Sequence, residues 1–309
     1  MSRFLIKTPP EFSAKLCVEF LLRSPKELLH RVEGDRIMKL ILYGEQLILF
    51  SVTPVSNGLR VEVLTPEVER EHLDVIRQYV RFWFDLDTDL KPFYRLAKSD
   101  ELLKDIVKRY AGYRIVGQPD LYESLVWAVL GQQINLSFAY QLKQRLVEKY
   151  GYCLSYGGQT YYAFPSPADL MHVPAEDLLA LQFSRQKAAY TIGISAAFAS
   201  GELSTELIAS LPFEQAKEKL MSVKGIGNWT ANYGLMKTFR YPEAFPLEDA
   251  GLHNAIKNKL GLKTKPSLKR VKTLFRRYRG WEAYATLYLW KSLEDPVGSA
   301  KFTAKTPRR

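Results

Sequence analysis

Between Leu220 and Ile256 the chain reads LMSVKGIGNWTANYGLMKTFRYPEAFPLEDAGLHNAI, and its residue types suit two kinds of chemistry. In Lys224-Gly225-Ile226-Gly227 two glycines bracket one apolar residue, between a helix expected to end near Val223 and another beginning at Asn228. Glycine has no Cβ and tolerates positive φ, so such a turn can bring bare N–H groups to the start of the second helix, where a phosphate fits. The plainer reading is a helix-helix turn with glycine as C-cap. Further on, Phe245-Pro246-Leu247-Glu248-Asp249 sets a carboxylate before a helix carrying Leu252, Ala255 and Ile256. By itself that carboxylate is an N-cap. Trp229 and Tyr233 are four apart and share one helix face, so two flat rings can look toward the acid.

The elements that must position these residues follow from composition and pattern. With 309 residues, 47% apolar and 13% aromatic, the chain can hold two or three packed units of a soluble globular protein. No apolar run is long enough to span a bilayer and the N-terminus lacks the order of a signal peptide, so a cytoplasmic location is expected. Cys17 and Cys153 are the only cysteines, which excludes a disulfide framework, a cysteine zinc site and a four-cysteine iron–sulfur cluster. The net charge of +11 points to a polyanionic partner, nucleic acid or an acidic membrane surface. From Lys257 to Arg279 ten basic residues meet no acidic one, and beside a phosphate-type hairpin DNA is the better match.

Up to about residue 90 the pattern predicts an antiparallel meander, with strands near Phe4–Ile6, Leu28–Val32, Arg36–Leu42, Gln46–Val52 and Leu59–Leu64. Ser13 should cap a covering helix, and Thr65-Pro66 should start a second helix running to Phe84. A domain boundary is expected within Leu86–Leu96. Beyond it the spacing is helical except for a hairpin around Tyr152–Phe164. Asp120 should cap a helix that stops at Gly131, and another should run from Leu136 to Gly151. Arg185 and Lys187 read as surface charges, Trp127 and Trp281 as core, and Lys301–Arg309 as a frayed basic tail.

KGIGNWTANY followed by FPLEDAGL, together with LGQQIN between two helices, resembles the helix-hairpin-helix (HhH-GPD) base-excision DNA glycosylases, most closely the DNA-3-methyladenine glycosylase II branch. The likeness is close over the helical part and loose over the N-terminal third. It implies an α+β fold: a small antiparallel sheet domain at 1–90 and a mainly α-helical glycosylase domain in two lobes at 91–309, with the hairpin at 220–236 and the Gly/Pro loop and acid at 241–256. Asp249 would be the catalytic carboxylate, and Trp229, Tyr233 and Trp290 would form the pocket for an extruded base. Electron-rich rings there suit a cationic alkylated purine. Gly225, Gly227, Thr230 and Lys224 would contact DNA phosphate, and either Gln133 or Ile134 would fill the gap in the duplex. Gln133 departs from the bulky side chain usual at that position.

No cofactor is required in that family, though a structural Na+ or K+ is expected on the main-chain carbonyls of Met221, Val223 and Gly225. The resemblance implies a monomer acting on double-stranded DNA that contains damaged bases. Relatives that also cleave the strand carry a lysine two residues after the second hairpin glycine, where this chain has Trp229, so hydrolysis without lyase activity is expected. Lys237 is out of that position, and His253 is at most a phosphate or supporting contact. Two alternatives stand beside this reading: a non-catalytic hairpin protein that only grips DNA, and a glycosylase for oxidised guanine.

Overall fold

The computed structural model describes residues 2–66 and 68–294; the basic tail lies outside them. Five strands form an antiparallel sheet in the order β1-β5-β4-β3-β2. They are β1 (Arg3–Ile6), β2 (His30–Glu33), β3 (Arg36–Tyr43), β4 (Gln46–Val55) and β5 (Gly58–Val63), so β2 to β5 make the expected meander and β1 joins its far edge. The near-continuous apolar run of β3 has a direct cause, since both faces of the sheet are covered. Ile37 and Ile41 pack with Cys17 and Leu21 of α1 (Ala14–Leu21) and with Ile76 and Val80 of α2 (Arg70–Trp83). Met38 and Leu40 face the hairpin of β6 (Tyr152–Tyr156) and β7 (Gln159–Ala163), meeting Tyr161 and Ala163.

Ser13 caps α1 as expected, its hydroxyl accepting from Leu16 N. The start of α2 differs: Glu69 is its N-cap, and the Thr65 hydroxyl instead accepts from Leu49 N at 2.7 Å. A Thr-Pro pair that could open a helix is here used to tie off the end of the sheet, a long-range bond that local spacing does not register. The charge-rich segment after α2 is docked. Asp85 is buried at φ 50° and accepts from Thr88 Oγ1 at 2.6 Å and from the Tyr284 hydroxyl, while Arg114 Nη1 donates to its carbonyl at 2.5 Å.

From Leu90 the buried side chains join a second, larger core. It contains α3 (Lys91–Ala97), α4 (Lys104–Arg109), α5 (Leu121–Gly131) and α6 (Leu136–Tyr150), then the short α7 (Pro167–Leu170) and α8 (Ala175–Ala180). α9 (Arg185–Ala199), α10 (Thr205–Ala209) and α11 (Phe213–Met221) lead to α12 (Asn228–Gly234), and α13 (Ala250–Lys259), α14 (Leu268–Phe275) and α15 (Glu282–Lys291) complete it. α5 is buried on nearly every side because α6, α9 and α12 pack around it. That helix is the post on which both the 131–135 loop and the glycine hairpin are mounted. No helix among the described residues is long and apolar enough to cross a membrane.

Candidate active site and nucleic-acid interface

The turn from α11 to α12 is built as its glycines suggest, with a different role for each. Gly225 adopts φ 102°, and a Cβ there would lie 2.4 Å from the Tyr190 ring, so both backbone and packing demand glycine. Gly227 has ordinary φ as the N-cap of α12, and a Cβ there would meet nothing within 4 Å. Ile226, 3% exposed, plugs the space between the two helices. Lys224 and Gly227 are exposed. Thr230 is not: it is 1% exposed and its hydroxyl accepts from Gln132 Nε2 at 2.9 Å, so the expected phosphate contact through this hydroxyl is corrected to an internal one.

The same Gln132 amide donates to the Gly225 carbonyl at 3.1 Å, tying the loop after α5 to the hairpin. Sequence reasoning passed over Gln132 in favour of its neighbours. Of those, Gln133 is exposed at φ 56°, while Ile134 is half-buried and packed beside Trp127. The loop's stiffness has a second source in Lys187, expected on the surface and found 8% exposed. Its Nζ donates to the carbonyls of Val129, Leu130 and Gln132, each at 2.8 Å, satisfying the C-terminal end of α5. Burial lowers this ammonium to about 8, so at neutral pH it keeps the three protons that three carbonyls require. Arg185 is exposed as expected.

At α13, Asp249 is both a cap and more than a cap. Its Oδ1 accepts from Leu252 N at 2.6 Å and from Trp290 Nε1 at 2.7 Å, and its Oδ2 accepts from Trp229 Nε1 at 3.1 Å. Two indoles from α12 and α15 therefore hold a half-exposed carboxylate. Gly251 makes room, since a Cβ there would sit 3.0 Å from Asp249 Oδ1 and 3.4 Å from the Trp290 indole. The loop carrying Asp249 is laced to α12 by two asparagines that spacing did not single out. Asn228 Nδ2 donates to both Glu248 carboxylate oxygens at 2.9 and 3.0 Å, and Asn232 Oδ1 accepts from Phe245 N at 2.8 Å.

Trp229 and Tyr233 stack at 5.3 Å and 24°, one helical turn apart. Tyr233 and Trp290 face each other across 6.5 Å at a 43° tilt. A flat ring sandwiched between two others needs parallel faces roughly twice a van der Waals contact apart, so these two tilted rings would turn toward parallel to form a slot for one. Trp127, read as core, is buried but serves the slot, donating from Nε1 to the Tyr233 hydroxyl at 3.0 Å. Trp281 is half-buried against Phe93. His253 is turned inward, its ring nitrogens 3.0 and 2.8 Å from the carbonyls of Pro266 and Leu247, so of the two expected contacts only the supporting one is compatible with its place. Lys237 is 3% exposed and donates to the Val116 carbonyl.

The basic run presents Lys263, Lys265, Lys269, Arg270, Lys272, Arg276 and Arg279 to solvent, while Arg277 is tied to Asp100 at 2.9 Å. At the hairpin, the Val223 carbonyl accepts from Ile226 N and the Gly225 carbonyl from Gln132. Each carbonyl oxygen retains a second lone pair, so these donors are compatible with a monovalent cation.

Residues 126–279 match the family described as HhH-GPD superfamily base excision DNA repair protein, and residues 23–125 match the 8-oxoguanine DNA glycosylase N-terminal domain. A DNA-3-methyladenine glycosylase of Bacillus subtilis is 39% identical over 292 residues, covering 94% of this chain and 96% of the relative. Among solved structures, the 3-methyladenine DNA glycosylase from Archaeoglobus fulgidus superposes with a TM-score of 0.81 at 23% identity, covering 94% of this chain and 97% of that one. An 8-oxoguanine glycosylase/lyase from Clostridium acetobutylicum, solved with double-stranded DNA, gives a TM-score of 0.72 at 21% identity, covering 94% and 98%. These last two speak for the fold. With its α+β architecture, its glycine hairpin and a relative of this closeness over nearly its whole length, the chain belongs to the HhH-GPD superfamily of base-excision DNA glycosylases.

Proposed function

We propose that the protein is a monofunctional glycosylase that hydrolyses the N-glycosidic bond of alkylated purines, of the 3-methyladenine and 7-methylguanine type, in double-stranded DNA. The observation that carries this reading is the Asp249 carboxylate gripped by the indole N–H groups of Trp229 and Trp290, at the edge of the slot between Tyr233 and Trp290. A damaged nucleotide rotated out of the duplex would enter that slot, with Gln133 at the tip of its loop toward the gap left behind. The indole bonds keep the carboxylate in place before the sugar arrives, so it stabilises developing oxocarbenium charge without reorganising.

Water's oxygen bonds C1′ as the bond to the base nitrogen breaks. The electron pair leaves on the base, neutralising a cationic alkylated purine, and the water's proton departs by way of Asp249. The N–H groups at Gly225 and Gly227, with Lys224, would hold phosphate without regard to sequence. A Na+ or K+ on the carbonyls of Met221, Val223 and Gly225 would add positive charge there. The exposed cations of α14 extend the grip. We further propose that the chain acts as a monomer, divided near residue 90 into the sheet domain and the glycosylase domain.

Release of free 3-methyladenine and 7-methylguanine from methylated DNA tests the reading. Asp249→Asn should lower that release on the order of 100-fold or more; unchanged release would refute the mechanism. The match of residues 23–125 to an 8-oxoguanine glycosylase domain favours a second reading, excision of oxidised guanine. Trp229 in place of a lysine weighs against the lyase form of that chemistry. A covalent protein–DNA adduct trapped by borohydride would overturn the hydrolytic assignment.

A further inference from the structure

We propose that Arg23 is a specificity-determining residue whose guanidinium meets the C6 carbonyl of a guanine-derived lesion; this rests on the glycosylase reading above. Arg23 lies in the loop after α1, contributed by the sheet domain rather than by the helices that carry Asp249. Its side chain is exposed, its guanidinium carbon sits 3.9 Å over the Phe20 ring, and its Nε donates to the Tyr140 hydroxyl. Neither terminal nitrogen has a hydrogen-bond partner among the described residues. The Tyr140 ring packs on Trp127 at 4.7 Å, and Trp127 donates to the Tyr233 hydroxyl, so Arg23 is connected to the slot through two rings.

Arg23 and Tyr233 line one cavity of about 50 Å³. Three further lysines line it, Lys39, Lys143 and Lys237. Lys39 is 6% exposed, stands over the rings of Tyr79 and Trp83 at 5.7 and 6.0 Å, and has no hydrogen-bond or ion-pair partner among the described residues. Lys237 gives one bond, to the Val116 carbonyl. The carboxylates at the cavity, Glu27 and Glu123, are taken up by Lys143 at 2.8 and 3.8 Å. Gln118 Oε1 is an acceptor at the cavity that is buried and unpartnered among the described residues.

The slot therefore has two unlike ends. Asp249, with the two indoles that hold it, marks the sugar end. The Tyr233 hydroxyl, bonded by Trp127, marks the other, where the cavity begins. A purine stacked along Tyr233 with its glycosidic nitrogen toward Asp249 turns its C6 edge to the cavity. A carbonyl there accepts from a guanidinium and puts N1–H toward Gln118 Oε1. An amino group there would set N–H donors against cations. A hydrogen bond to a charged donor is about twice as strong as a neutral one, and it strengthens further as the departing base gains electron density on that oxygen.

The test uses methylated DNA carrying both 7-methylguanine, which has the carbonyl, and 3-methyladenine, which has the amino group, with the released bases separated under single-turnover conditions. Arg23→Met should lower the ratio of 7-methylguanine to 3-methyladenine release rates about tenfold, the size of one lost charge-assisted hydrogen bond. Arg23→Lys, which restores a cationic donor, should recover most of the ratio. Unaltered binding of Arg23→Met to abasic-analogue DNA reports an intact fold; if that variant does not fold, Arg23→Gln reads the same ratio. An unchanged ratio in folded protein, with both rates falling together or neither falling, overturns the role of Arg23 and leaves the glycosylase reading standing. Release of neither base by the wild-type protein sinks that reading instead.

Discussion

At the scale of single residues, Asp249 shows how a structural duty and the chemical one proposed for it can share one carboxylate. The N-cap reading and the catalytic reading looked like rivals in the sequence, yet the side chain accepts from Leu252 N and from two indoles at once. The two duties separate by substitution. Asp249→Ala removes the cap and both indole acceptors and should cost about 1 kcal/mol of stability or more, whereas Asp249→Asn keeps an oxygen for Leu252 N and Trp290, loses only the Trp229 acceptor and should cost less. Urea melts of the two variants measure this, and equal losses would mean the cap contributes nothing. That Trp229, Tyr233 and Asp249 come together was legible because helix spacing and a short loop place them. Thr230 was misread because its partner Gln132 comes from elsewhere in the fold, and His253 stayed open between two contacts because no local pattern names its partners Pro266 and Leu247.

At the scale of elements, α5 and α6 could be bounded from the sequence because Asp120 and Asn135 are caps whose bonds lie within their own first turns. The start of α2 could not, since Thr65 answers to a strand sixteen residues earlier. Lys187 is the instructive case. At the start of α9 a charged residue reads as surface, but this one crosses to the end of α5 and satisfies three carbonyls there. Lys187→Met should take a donor from all three carbonyls, of which Val129 alone keeps another in Gln132 N, at a cost of about 2 kcal/mol. It should also loosen the 131–135 loop. Thermal melting with amide exchange across that loop would check both, and an unchanged exchange rate would contradict the clamp.

At the scale of the whole molecule, the α+β order and the basic surface were readable from composition and periodicity, because charge and apolar spacing are sums over many residues. The joint between the sheet domain and the helices was not. It centres on Lys143 of α6, 2.8 Å from Glu27 and 3.8 Å from Glu123. Burial alone would raise the Glu27 carboxyl, but the Lys143 charge, His30 and hydrogen bonds from Lys143 and the Leu29 N–H outweigh it and bring the group down to about 2. A carboxyl whose folded value lies below its ordinary 4.5 adds stability in full above that pH, and the contribution fades as pH falls from 4.5 toward 2. Lys143→Met strands two buried carboxylates and should cost roughly 3–5 kcal/mol at neutral pH. Acid titration of denaturant midpoints should then show a shallower decline over that window than in wild type.

The Gln132 amide, which reaches both the Gly225 carbonyl and the Thr230 hydroxyl, has a consequence for how the enzyme can change. It welds the part that would intrude into the helix stack to the part that would seize the strand. A mutation that shifts either will drag the other with it. Variation in lesion choice is then freer at the far wall, supplied by the sheet domain, than along this rigid seam.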